Sequence, residues 1–228
     1  MASRGDGERT AVLGVDGARG GWVGVRWDGT ALACAFAPTL AGLVADVWPV
    51  AVVAVDMPIE LEASTTRACE DLARPLLGAR RSSLFQSPSL GALDFADDDY
   101  PGANAWSKAN TGRGISKQAW FLVPKIREVR ALAATCEVPV RECMPELSFR
   151  AMHGEPLAHA KTTWTGHALR VRLLRGHGID LPDDPGPAGR VAPDDLVDAA
   201  AVAWSAHRIA RGEAECVPPQ GGPAAIWW

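Results

Sequence analysis

Along the N-terminal part of the chain, the spacing of apolar residues shifts from strand-like runs to a helical period and back. Ala11 to Val15, Gly21 to Trp27 and Thr30 to Ala37 read as strands, with Asp28-Gly29 between the second and third as a hairpin signal. Thr39 to Trp48 places Leu40, Leu43, Val44 and Val47 at helical spacing. Val50 to Val55 is a continuous apolar run, the pattern of a strand covered on both faces. The order is βββαβ. A strand, a crossover helix and a parallel strand close right-handed and short, so the fourth strand lies beside the first.

Beyond Glu62 the pattern loosens. Thr66 to Leu77 reads as a helix carrying Arg67 and Arg74, with Pro75 obscuring its end. Gly78 to Ser83 and Asp97-Asp98-Asp99 read as surface segments. Gln118 to Ala134 and Thr165 to Gly176 are helical, and Val138 to Cys143 is a fifth strand that runs into a further helix at Pro145-Glu146. Leu181 to Ala192 is a loop, Pro193 to Arg211 the last helix, and Val217 to Trp228 a proline- and glycine-rich tail whose apolar end packs onto the body. The expected organisation is a flexible polar leader at 1–10, then one α/β domain over 11–228 with helical insertions around 62–135.

Length and composition narrow the class. A chain of 228 residues has material for one sizeable core. Its net charge of −4 argues against coating nucleic acid by bulk electrostatics and leaves room for a local basic groove. The five cysteines lack any paired C-x-x-C element and read as free thiols of a reducing compartment. No apolar run approaches the ~18 to 20 residues that span a bilayer. The expectation is a cytoplasmic protein with no membrane partner; the pattern leaves homo-oligomerisation open.

The chemistry lies in acids that break the apolar pattern. Asp16 ends the first strand within Val12-Leu13-Gly14-Val15-Asp16-Gly17, Asp56 ends the fourth within Val53-Ala54-Val55-Asp56-Met57-Pro58, and Asp198 sits in a nearly all-apolar helix, Leu196-Val197-Asp198-Ala199-Ala200. Desolvating a lone carboxylate costs several kcal/mol, so each acid calls for a partner. Parallel neighbours lie about 4.8 Å apart, which lets Asp16 and Asp56 converge on one cation. Asp195 lies three residues before Asp198 on the same helix face and closes the site from the side. Hard oxygen ligands select Mg²⁺ or Mn²⁺, and a pair of such ions hydrolyses phosphodiesters. Glu142, at the end of the fifth strand, and Glu146, after Pro145, are the next candidates, Glu146 as a further catalytic acid. Plainer roles exist: Asp16 and Asp56 also suit turns, and Asp194, Asp195 and Glu146 also suit helix starts.

Lys108 to Gln118 is a basic, glycine-containing segment that can present Arg113, Lys117 and backbone N–H groups to phosphate, although it is not a P-loop. Arg67, Arg74, Arg80, Arg81, Lys125, Lys161 and Arg170 are other cations able to face a phosphate. Trp106, Trp120 and Trp164 are either base-stacking or core residues.

With those residues in view, the chain resembles the predicted RNase H-like nucleases catalogued as domain-of-unknown-function family 429. The resemblance runs from about Val12 to Arg211. It is carried by Gly14-Val15-Asp16-Gly17-Ala18-Arg19-Gly20-Gly21-Trp22-Val23, by Val55-Asp56-Met57-Pro58-Ile59, and by Arg67-x-Cys69-Glu70-x-x-Ala73-Arg74 with Leu77-Gly78-x-Arg80. Downstream it is carried by Ser116-x-Gln118-x-Trp120, Pro124-Lys125-Ile126-x-Glu128-Val129, Glu142-x-x-Pro145-Glu146-x-Ser148-Phe149 and Asp194-Asp195-Leu196-Val197-Asp198-Ala199. Ala18 and Met144 depart from the family's usual Cys and His. The resemblance implies an RNase H-like fold, a mixed five-stranded sheet of order 3-2-1-4-5 flanked by helices. It also implies a two-metal nuclease acting on nucleic acid, with Asp16 bridging, Asp56 and Asp198 each holding one ion and Asp195 helping. Two other classes share the pattern: an ATP-dependent phosphotransferase, and a noncatalytic nucleic-acid or protein-binding module.

Overall fold

A computed structural model describes residues 11–63 and 67–228, so the leader at 1–10 and Thr66 of the expected helix lie outside the described residues. Three strands come first: β1 (Val12–Ala18), β2 (Gly21–Trp27) and β3 (Leu32–Ala37). β1 turns into β2 through Arg19-Gly20, where Gly20 adopts the positive φ of 79° that so tight a hairpin requires. The Asp28-Gly29 turn is wider than a two-residue loop. Trp27 faces Leu32 across the ladder, and the Asp28 carboxylate accepts the N–H of Thr30 at 2.9 Å and of Ala31 at 2.7 Å. Helix α1 (Leu40–Val47), capped by the Thr39 hydroxyl, crosses to β4 (Val53–Val55), which pairs parallel with β1 as expected.

Four helices follow: α2 (Ala68–Leu76), α3 (Tyr100–Thr111), α4 (Lys117–Phe121) and α5 (Val123–Thr135). The single helix expected over Gln118 to Ala134 is two, because Pro124 lies in the first turn of α5 and has no N–H to continue α4. Helix α3, which the sequence pattern did not indicate, starts on an Asp99 cap and ends at left-handed Gly112. The basic segment from Lys108 is therefore a helix end, a turn and a helix start. β5 (Val140–Cys143), α6 (Pro145–His153), α7 (Trp164–Gly176) and α8 (Pro193–Ala210) complete the expected elements.

Among the described residues the sheet has seven strands, not the five expected, in the order β3-β2-β1-β4-β5-β7-β6. The tail supplies the other two, β6 (Cys216–Val217) and β7 (Ile226–Trp227), with β7 parallel to β5. Strands of two residues among prolines and glycines carry no readable period, which is why the tail read only as a packed end. Among the described residues no helix is long and apolar enough to cross a membrane. All five cysteines are free.

Alternation along the strands decides what each face sees. Leu13, Val15, Val53 and Val55 pack with Leu40 and Leu43 of α1 and Ile126 and Val129 of α5. Their neighbours Val12 and Ala54 pack on the other face with Val202 and Ala206 of α8. By the same period Gly14, Asp16 and Asp56 face α8. The helix comes very close there: a Cβ on Gly14 would lie 2.0 Å from the Ala203 nitrogen and 2.3 Å from the Ala199 oxygen. Glycine in β1 and alanines in α8 let backbone meet backbone.

Candidate metal centre

That close packing lowers the first turns of α8 onto the carboxyl ends of β1 and β4. Asp16 follows Val15, which is paired with Val55, and the Asp56 N–H donates to the Val15 carbonyl at 3.0 Å. Asp198, one residue before Ala199, hangs over the same point. One carboxylate oxygen from each of Asp16, Asp56 and Asp198 lies within 4.8 Å of the other two. Asp16 and Asp198 are buried and Asp56 partly so. Asp16 Oδ1 also accepts the N–H of Gly17 at 2.7 Å, so the turn role of this residue and its place in the cluster coexist.

Three acids so placed resist ionisation. Burial, then the charges of Asp56 and Asp198, holds the Asp16 carboxyl well above the usual range. Burial with the Asp198 charge pushes Asp56 up to about 8. Asp198 rises only to about 6, because Lys161 offsets part of the burial. The Lys161 Nζ lies 2.5 Å from Asp198 Oδ2 and 3.3 Å from Asp194 Oδ2. Burial would lower the pKa of that ammonium, but the acids outweigh it and raise it.

The sign of the pH dependence follows. An acid whose folded pKa exceeds its unfolded value holds its proton longer in the native state, so its contribution to stability falls as pH rises from about 4 to about 8. The metal-free protein is expected to melt several degrees lower at pH 8 than at pH 5, with a shallower decline in an Asp56→Asn variant. Equal declines in the two proteins, measured by calorimetric scans in chelator, would contradict the assignment.

Over residues 14–221 the chain matches the family described as protein of unknown function, DUF429. The chain belongs to the DUF429 family. No curated protein and no solved structure matches it.

In this DUF429 protein the acid cluster opens into a cavity of about 410 Å³ whose lining includes Arg80, Ser82, Ser83, Gln118, Lys161 and Asp195. Asp195 therefore faces the same space as the cluster without joining it. Burial, then Asp194, raises its pKa. Glu146 also lines the cavity, but both its oxygens accept from Arg170, at 2.6 and 2.8 Å. Arg170 is fully buried and faces no phosphate. Arg67, Glu70 and Glu142 do line the cavity, but Arg67 is buried, with its guanidinium on both oxygens of Glu142, at 2.9 and 2.5 Å, and on Glu70 at 3.3 Å.

The remaining cations divide. Arg74 holds the carbonyls of Arg81 and Leu84. Lys125 donates to the Gly21 carbonyl and sits 4.2 Å over the Trp22 ring, with its pKa lowered chiefly by burial. Its methylenes pack where a Cβ on Gly17 would go, beside Asp16. Lys117 is exposed at the start of α4, outside the lining of the cavity, and Arg113 lines a second cavity. Sequence reasoning missed Glu142 and Glu70 as counterions of Arg67. The signal available was Glu142 itself, an acid inside a short apolar strand.

Proposed function

We propose that this protein is a divalent-metal-dependent hydrolase of phosphodiester bonds, built on an RNase H-like fold. The observation that carries this reading is the triple convergence of Asp16, Asp56 and Asp198 within 4.8 Å. Two features support the fold. The order β3-β2-β1-β4-β5 is contained in the sheet, and the acids stand on β1, β4 and the last helix, where the resemblance places them. The strands β7 and β6 extend the far edge and leave that arrangement intact.

The donor set fits Mg²⁺ or Mn²⁺. All three groups offer hard oxygens and repel one another when ionised; without a cation, burial and that repulsion favour the neutral forms of Asp16 and Asp56, while Asp198 is paired with Lys161. A bound pair of such ions supplies charge neutralisation, a more acidic water and stabilisation of a leaving oxygen. Asp16, Asp56 and Asp198 would hold the ions, with Asp195 at the rim. Glu146, locked to Arg170, fixes the wall from which Arg80 and the serines face the cavity.

Lys161 is the counterion of Asp198, and with a divalent cation bound at the acids its ammonium would be available to a phosphate oxygen. A Lys161→Met variant should therefore bind Mn²⁺ about tenfold more tightly in calorimetric titration while turning over more slowly. Unchanged or weaker Mn²⁺ binding would remove Lys161 from the site's charge balance. The overall reading is tested by incubating the protein and Mn²⁺ with labelled single- and double-stranded DNA and RNA. Shorter products that disappear with chelator and in Asp56→Asn are expected. No product from any substrate, in a protein that binds Mn²⁺, would overturn it.

A further inference from the structure

Beside the acid cavity lies a second one of about 330 Å³, lined by Gln86, Ser87, Ser89, Arg113, Gly114 and Ser116 among others, with no carboxylate. Ser87 lines both cavities, so they share a wall. Ser89 is one of the lining residues, and its Oγ has no hydrogen-bond partner among the described residues. Among the described residues the Arg113 guanidinium has no hydrogen-bond or ion-pair partner, while the backbone carbonyl accepts from Ser107 Oγ at 2.7 Å and the N–H donates to Thr111 Oγ1 at 3.3 Å. A cavity whose lining, among the described residues, offers donors and a cation but no acid suits a phosphate.

A separate observation concerns aromatic side chains. Trp164 is 85 % exposed and Phe121 is 72 % exposed, against 44 % or less for the other exposed large apolar residues among those described. Both flank the acid cavity along the chain. Phe121 stands between Gln118 and Leu122, which line it, and Trp164 lies three residues beyond Lys161, another lining residue. Trp120, by contrast, is buried and donates its indole N–H to the Asp97 carbonyl at 3.1 Å. Isolated exposed aromatics are common, but a pair beside a polar cleft with a cation beyond it forms a stacking platform for bases.

We propose that the substrate is a single-stranded polynucleotide, with one phosphate at the acid cluster, a neighbouring phosphate in the Arg113–Ser89 cavity, and flanking bases stacked on Phe121 and Trp164. This rests on the reading of the acid cluster as a phosphodiester-hydrolysing centre. The recessed position of Asp16 and Asp198 favours a single strand over a duplex. A duplex carries its phosphates on a convex outer surface, whereas an unstacked strand can bend into adjoining cavities and splay its bases outward.

The test uses the full chain in an Asp16→Asn background, where no strand is consumed and repulsion in the cluster is relieved. Fluorescence anisotropy follows a labelled oligothymidylate. Arg113→Gln should weaken binding about tenfold and reduce the salt slope by ~0.7, the value for one phosphate contact on a single strand. Trp164→Ala should weaken binding about tenfold with the slope unchanged. A blunt duplex and ATP should compete at least tenfold less well than the unlabelled strand. Equal competition by either would overturn the substrate class, and full binding by both variants would overturn the subsites. Loss of self-association in Trp164→Ala by light scattering, with strand binding intact, would make the tryptophan an interface between copies and overturn its role. A Mn²⁺ titration of the parent protein keeps the two readings apart. If it shows no site while strand binding still responds to Arg113 and Trp164, the hydrolase reading fails alone.

Discussion

Replacing Asp16 with Asn will weaken Mn²⁺ binding by at least about a hundredfold and cut phosphodiester turnover about a thousandfold or more, while the metal-free protein becomes more stable. Loss of groups one layer behind a metal ligand already costs about ten- to a hundredfold in affinity, and a ligand shared by two ions should cost more. The stability gain has a separate cause. Asp16 is buried with Asp56 and Asp198 within 4.8 Å, and its raised pKa reflects burial and those two charges. Asparagine keeps the oxygen that accepts the Gly17 N–H and removes the charge. A gain of about 1 to 2 kcal/mol corresponds to about 2 to 8 °C in a chain of this size. Calorimetry with and without Mn²⁺ reads both effects. A variant that binds Mn²⁺ like its parent would sink the metal assignment, and one that melts lower without metal would show that the Asp16 charge stabilises the fold.

Gly14→Ala is expected to be the most damaging small substitution in the sheet. The added methyl would stand 2.0 Å from a backbone nitrogen and 2.3 Å from a backbone oxygen of α8, so no side-chain rotation relieves it. The helix must move away from β1, opening a core made of Val12, Val202 and Ala206. Overpacking of this kind costs about 3 kcal/mol, or about 6 to 12 °C here. Because Asp198 rides on the same helix, Mn²⁺ affinity should fall even at temperatures where the variant is fully folded. A Gly24→Ala control should cost less, since its Cβ would meet only the leucine side chains Leu13 and Leu43 at 3.0 Å. Equal melting of the two variants would contradict the close approach.

The βββαβ order and the pairing of β1 with β4 were legible because burial imposes a period on the sequence, and both strands are covered on each face. Asp16, Asp56 and Asp198 were legible for the opposite reason: each violates that period. What stayed hidden depends on partners far apart in the chain. Nothing local announces that Glu146 will be held by Arg170, or that Arg67 will close on Glu142 rather than on a ligand. Helix α3 buries only Ala103 and Ser107 and so shows no apolar stripe. Trp164 read equally well as a core residue or a stacking one, because one aromatic carries no period and its exposure is set by the helices beneath it.

The hairpin of β6 and β7 also sets what one edge of the sheet offers to another strand. Without β7, the free side of β5 would present unpaired N–H and C=O groups to any other exposed strand. β7 satisfies that side, and the new rim, β6, is only Cys216–Val217 followed at once by Pro218, which has no N–H to donate. The sheet thus ends in a stub too short and too poor in donors to template another strand, a guard against edge-to-edge aggregation on the side nearest the acid cavity, whose wall includes Ile226.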